Sequence, residues 1–219
     1  MFIQDQDFNL IKIKEITSII EDKPVLALDF DGVITSPYAL NTHYLRERGY
    51  DLTEEQSSAI SCVKLNVNKE DHEYATRKAF MTEPKDLPLE KGFIENYIKI
   101  RKMNIAIFIV TSRTDDMLKH LESYLAYYKI KVEGVVNTEK RSKTKALETI
   151  NARFFVDDTS FNLWQVIQED KEFAKKCTLV LYRNVQNKTE KKPNSIVIEA
   201  RNWKDVYSII EDRFIDTNI

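Results

Sequence analysis

The sequence predicts an α/β protein, a parallel sheet with helices on both faces, interrupted by one small helical insert. Three observations lead there. From residue 104 onward, short apolar runs alternate with helix-period segments, the pattern of parallel strands joined by crossover helices. A separate apolar run, Val25–Phe30 (VLALDF), ends in acid long before that alternation begins. Between the two, residues 36–89 carry helix patterns and no strand pattern. The expected organisation is a core over residues 1–35 and 90–219 with an insert over 36–89.

Each element has its own signal. Apolar residues at Phe8, Ile11, Ile16, Ile19 and Ile20 fit an amphipathic helix over residues 7–21, stopped by Pro24. Val25–Phe30 reads as a fully buried parallel strand. The insert predicts helices at 38–48, 53–63 and 69–80, bounded by Gly49, Thr53 and the Pro84/Pro88 pair. A helix over 89–103 leads to the clearest strand, 104–110 (NIAIFIV). Helix 115–128, strand 131–136, helix 144–150 and strand 153–156 follow. Then come helix 163–174, strand 178–182, a short strand at 195–198 and a last helix at 203–210.

Composition narrows the function classes. Hydrophobic residues make up 42% of the 219 and charged residues 31%, enough apolar material for a core and too much for a disordered chain. The formal net charge of −2 argues against a protein whose main work is holding a nucleic-acid backbone. With only Cys62 and Cys177, no disulfide framework exists, and a reducing, cytoplasmic setting is expected. No apolar stretch is long enough to span a membrane. The start, MFIQDQDFNLIKIKE, lacks the basic and apolar regions of a secretory signal. Glycine is scarce, four residues where about 15 are typical. That excludes the Gly-rich dinucleotide loop and the P-loop.

In open parallel sheets ligands bind outside the carboxyl ends of the strands. Asp29, Phe30, Asp31 and Gly32 follow the first core strand. Thr111, Ser112 and Arg113 follow the second, and Asp157 and Asp158 follow 153–156. Lys140, Arg141, Lys143 and Lys145 lie before that last strand. Burying Asp29 and Asp31 is costly without a cation or hydrogen bonds, and Gly32 permits a tight turn or close backbone approach. Asp5-Gln6-Asp7 repeats the triplet with no strand before it and reads as surface. His43, His72 and His120 show no ligand spacing, so zinc is not expected. Cys62 and Cys177 read as core.

The DFDGV string, TSR after a second strand, a downstream lysine and VDD after a third resemble the haloacid-dehalogenase-like (HAD) phosphohydrolases. The resemblance covers residues 24–35 and 90–182, and residues 36–89 sit where that family places a helical type-1 cap. It implies a Rossmann-like core and a Mg²⁺-dependent phosphatase that hydrolyses a small phosphomonoester, a nucleotide being one candidate, through an aspartyl phosphate. Asp29 would be the nucleophile and Asp31 the general acid/base, its backbone carbonyl facing the metal. Asp29, Asp31, Asp158 and Asp157 would make the Mg²⁺ site, a hard cation among oxygens. Asp158 is favoured over Asp157, with helix N-capping the alternative reading of that pair.

Aligning VDDTSFN to the family pattern puts Asn162 where an acid is usual, a departure that weakens metal binding. Thr111, with Ser112 as alternate, matches the phosphate-binding hydroxyl. Lys143, or else Lys145, would hold phosphate and nucleophile. Arg113, Tyr38 and Asn41 are substrate candidates, Arg113 reading equally as a surface charge and the insert residues equally as core. Two alternatives remain: a nucleic-acid end phosphatase, from the basic residues at 140–145 and 183–192, and a non-catalytic binding protein, from Asn162.

Overall fold

A computed structural model describes residues 2–4, 20 and 23–216. The helix expected over 7–21 and the Asp5-Gln6-Asp7 triplet lie outside the described residues. Among the described residues seven strands, all parallel to their neighbours, form one sheet. They are β1 (Phe2–Gln4), β2 (Val25–Leu28), β3 (Ala106–Thr111), β4 (Gly134–Asn137), β5 (Ala152–Asp157), β6 (Thr178–Tyr182) and β7 (Ile198–Ala200), in the order β1-β4-β3-β2-β5-β6-β7. From β2 the chain builds outward through β3 and β4, then crosses to the other side of β2 with β5. The β2–β5 junction is therefore a switch point, where such sheets leave a crevice at their carboxyl ends.

The helices are α1 (Tyr38–Glu47), α2 (Ala59–Lys64), α3 (Lys69–Phe80), α4 (Phe93–Lys102), α5 (Asp115–Tyr127), α6 (Thr144–Thr149), α7 (Ser160–Glu169), α8 (Lys171–Lys176) and α9 (Trp203–Asp216). Side chains alternate across a strand with period two. In β2, Leu26 and Leu28 join one apolar layer with Tyr97 and Ile100 of α4, Tyr124 of α5 and Val206 of α9. Val25 and Ala27 join the opposite layer with Leu147 of α6, Leu163 and Val166 of α7 and Ala174 of α8. A strand buried on both faces must be apolar throughout, which is why VLAL, AIFIV and TLVL are nearly continuous runs.

Some elements differ from expectation for identifiable reasons. The helix expected over 163–174 is two helices, because Asp170 is extended and its side chain accepts from the N–H groups of Glu172 and Phe173, capping α8. The helix expected from 89 begins at Phe93, because Gly92 takes a left-handed conformation (φ 81°) and Leu89 bridges to Thr35. The segment expected as helix 53–63 is a 3-10 turn (Glu55–Ser57) followed by α2. The last strand lies at Ile198–Ala200 rather than 195–198. β1 was not expected; it pairs with β4, Phe2 beside Val135.

Helices α1–α3 lie between β2 and α4 and bury a small cluster of their own, Leu45, Cys62 and Ala75. Both cysteines are buried and free. Among the described residues, no helix is long and apolar enough to cross a membrane.

Candidate active site

Three strand ends meet at one rim. Asp29, Asp31 and Gly32 after β2, Ser112 and Arg113 after β3, and Asp158 after β5 line a cavity of about 450 Å³. Tyr38 and Asn41 of α1 and Thr76, Arg77 and Phe80 of α3 complete its wall. Asp29 is held one residue past its strand, its N–H donating to the Val156 carbonyl (2.9 Å).

The buried Lys143, at the start of α6, links two of the strand ends. Its Nζ donates to Asp29 Oδ1 (2.7 Å) and Asp157 Oδ2 (2.8 Å). Asp157 is fully buried and saturated: it also accepts the Thr159 N–H (2.7 Å), and Asn162 Nδ2 lies 3.1 and 3.0 Å from its two oxygens. Asp158 is aimed from β6, accepting from Asn184 Nδ2 at Oδ2 (2.7 Å), while its carbonyl accepts from Asn187 Nδ2 (2.5 Å). Asn184 also donates to the Gly32 carbonyl (3.3 Å). Gly32 is obligatory here. A Cβ would stand 2.1 Å from Asp158 Oδ2 and 2.7 Å from the Tyr38 hydroxyl oxygen, at φ +83°.

Carboxylate oxygens of Asp29, Asp157 and Asp158 lie within 4.8 Å of one another. Burial, helped by Asp157 and Asp31 and opposed by Lys143, pushes Asp29 from 3.8 up to about 7. Burial and then the charges of Asp29 and Asp157 push Asp158 well above the usual carboxylate range. For Lys143, burial works against the charge, but Asp157 and Asp29 together outweigh it and hold the pKa above that of an ordinary lysine. One ammonium against three clustered carboxylates leaves negative charge uncompensated. An all-oxygen donor set with that excess fits a hard divalent cation such as Mg²⁺.

Asp29 gains its proton more tightly in the folded chain than in the unfolded one. Its contribution to stability is therefore full below about pH 3.8 and is lost as the pH rises through about 7. A cation bound at the cluster would offset that loss.

The solved structures that this chain resembles share its architecture. A haloacid-dehalogenase-like family hydrolase from Streptococcus pneumoniae aligns over 86% of this chain and 98% of its own, with TM-score 0.55 and 13% identity. A β-phosphoglucomutase from Clostridium difficile aligns over 89% and 98%, with TM-score 0.52 and 14% identity. A HAD-superfamily hydrolase from Ehrlichia chaffeensis aligns over 87% and 97%, with TM-score 0.51 and 16% identity. The fold is haloacid-dehalogenase-like. No family model and no curated protein matches the sequence.

Within this HAD-like rim the sequence candidates separate. Asp29, Asp31, Asp158 and Lys143 converge, whereas Lys145 is exposed. The Asp31 carboxylate stands apart from the three-carboxylate cluster, paired with Arg113 (2.7 Å). Of the two hydroxyl candidates, Ser112 lines the cavity; Thr111 is buried and its Oγ1 accepts the Arg113 N–H (3.3 Å). Arg113 is no surface charge, being 3% exposed. Tyr38 is buried, its hydroxyl donating to the Gly32 carbonyl (3.3 Å), so its ring packs rather than offering a stacking face. Asn184 and Asn187 were not foreseen, although they follow β6 and the strand-end rule applied there would have pointed to them.

Proposed function

We propose that the protein is a Mg²⁺-dependent phosphatase that hydrolyses a small phosphomonoester through an aspartyl phosphate on Asp29. The observation that carries this reading is Asp29 itself, a desolvated carboxylate at the cavity floor, paired with Lys143 and facing two more carboxylates. Such a group is expensive to bury unless it is used.

In this mechanism an Asp29 oxygen attacks phosphorus as the ester P–O bond breaks, and Asp31 gives the leaving oxygen its proton. Asp31 then takes a proton from the water that attacks the phosphoryl group. The water oxygen departs on inorganic phosphate and Asp29 is restored. Lys143 holds Asp29 and balances charge through both steps, while Ser112, on the cavity wall after β3, would donate to the phosphoryl oxygens with the buried Thr111 behind it. Asp29 and Asp158 would hold Mg²⁺ through their side chains and Asp31 through its carbonyl, with Asp157 fixing Lys143 and Asn162 behind them. Bound there, Mg²⁺ would supply charge neutralisation between phosphate and carboxylates. Asn162 in place of an acid keeps its contact to Asp157 as a donor, and so serves the cluster without adding charge.

The cavity volume suits a small leaving group. Asn41 Oδ1 and Thr76 Oγ1 belong to wall residues but are themselves buried without a partner. The likeness to a β-phosphoglucomutase is in keeping with phosphoryl chemistry. The nucleic-acid reading loses support, since Lys143 is buried in the site and Arg183 and Lys188 pair with Glu199 and Glu55. Two buried free thiols suit a reducing compartment, for which the cytoplasm is the proposed location.

The test is release of inorganic phosphate from a panel of sugar phosphates, phospho-acids and nucleotides. Hydrolysis with Mg²⁺ that EDTA removes is expected; no release from any of them overturns the reading and favours a binding protein. A second expectation concerns stability. At about 100 Kd of Mg²⁺, binding adds about 2.7 kcal/mol, which at about 2–4 °C per kcal/mol for this size raises Tm by about 5–10 °C. The rise should be larger at about pH 8 than at about pH 6, because ionised carboxylates are what the cation relieves. Asp158→Asn should raise Tm in EDTA and lose the Mg²⁺ response; a retained response would place the cation elsewhere.

A further inference from the structure

We infer that Arg113 is a positioning residue for Asp31, a guanidinium that fixes the carboxylate in the orientation needed to exchange a proton with the leaving oxygen; this rests on the phosphatase reading above. Arg113 Nε donates to Asp31 Oδ2 (2.8 Å) and Nη2 to Asp31 Oδ1 (2.7 Å), a two-pronged pair that sets the plane of the carboxylate. The Arg113 side chain is 1% exposed and that of Asp31 14%, so water competes little for either.

Arg113 is itself immobilised from three directions. Its guanidinium lies between the rings of Phe30 and Phe80, 4.7 and 4.8 Å from their centroids. Nη1 donates to the Phe80 carbonyl at the end of α3 (3.1 Å), where helix carbonyls favour a cation. Its own N–H donates to Thr111 Oγ1. A lysine could supply the charge but not the fork. The fork uses one lone pair of each Asp31 oxygen, and the Thr35 hydroxyl also donates to Oδ1 (3.4 Å); Oδ2 keeps a second lone pair, so Asp31 can meet the substrate through Oδ2 without breaking the pair. Arg113 therefore joins three parts of the cavity: the acid after β2, the loop after β3 and the last turn of α3.

The test separates this role from a direct contact between Arg113 and the phosphate, and from a purely structural one. Phenyl phosphate and 4-nitrophenyl phosphate share their shape and phosphoryl group but differ in how much the leaving oxygen needs a proton. General acid catalysis is worth about 10²–10⁴-fold where the proton is needed. Arg113→Ala should lower the ratio of kcat/KM for phenyl over 4-nitrophenyl phosphate by about 10-fold or more relative to the wild type. Arg113→Lys should fall between the two, and carries the comparison if Arg113→Ala does not fold. In an Asp31→Asn background, Arg113→Ala or Arg113→Lys should not change the ratio further. Equal losses on both substrates, or a loss of the same size in the Asp31→Asn background, overturn the inference while leaving the phosphatase reading intact. Absence of hydrolysis of either ester by the wild-type protein overturns both.

Discussion

Asp29→Asn abolishes phosphate release, by on the order of 10⁴–10⁶-fold, the scale on which losing a covalent nucleophile acts. The amide has the carboxylate's shape but cannot attack phosphorus. Its environment tolerates the change. Lys143 keeps Asp157 as a partner at 2.8 Å, and one of three clustered carboxylates loses its charge. The variant should therefore fold, with a Tm in EDTA equal to or above that of the wild type, because the burial that pushes Asp29 up to about 7 no longer opposes an ionised group. Steady-state kinetics and a thermal melt check both halves. Residual turnover within tenfold of the wild type would remove Asp29 from the chemistry.

Gly32→Ala carries the second large effect, and it acts through geometry. The new methyl group would meet Asp158 Oδ2 at 2.1 Å and the Tyr38 hydroxyl at 2.7 Å, well inside van der Waals contact, at φ +83°. The left-handed backbone alone costs about 1–2 kcal/mol. Relief requires moving Asp158, which Asn184 and Asn187 hold in place, or tilting α1 through Tyr38. A displacement of about 1 Å at a reacting centre costs about 10²-fold in rate. The expected result is a Tm lower by several degrees and a kcat reduced by about 10²-fold, with a weakened Mg²⁺ response. A variant that melts and turns over like the wild type would show that the loop has room the structure does not display.

Strand ends carrying Asp29, Asp31, Asp157 and Asp158 could be located because a parallel strand buried on both faces is an unbroken apolar run, and the first polar residues after it must emerge at the rim. Lys143 and Lys145 stand two apart in the sequence, yet they differ in the fold as completely as two lysines can: one is buried between carboxylates, the other exposed.

What stayed hidden depends on partners far away in the chain. Nothing local marks Arg113 as buried; its carboxylate partner is 82 residues away. Asn184 and Asn187 sit in a polar stretch that reads as loop, and they matter only because β6 neighbours β5. Thr111 and Ser112 are adjacent, and only the end point of β3 decides which of them faces the cavity. The break between α7 and α8 hangs on a single residue, Asp170, whose capping preference competes with helix continuation. β1 is three residues long, too short for its period to show.

The central claim, that Asp29 carries the phosphoryl group, is tested most directly in Asp31→Asn supplied with Mg²⁺ and 4-nitrophenyl phosphate. That leaving group departs without a proton, whereas the following attack by water lacks its base, so the intermediate accumulates. Acid quenching and peptide mass spectrometry should then find one added phosphoryl group on Asp29, formed together with a burst of 4-nitrophenol. Release of 4-nitrophenol with Asp29 unmodified, or with the phosphoryl group on another side chain, would contradict the account.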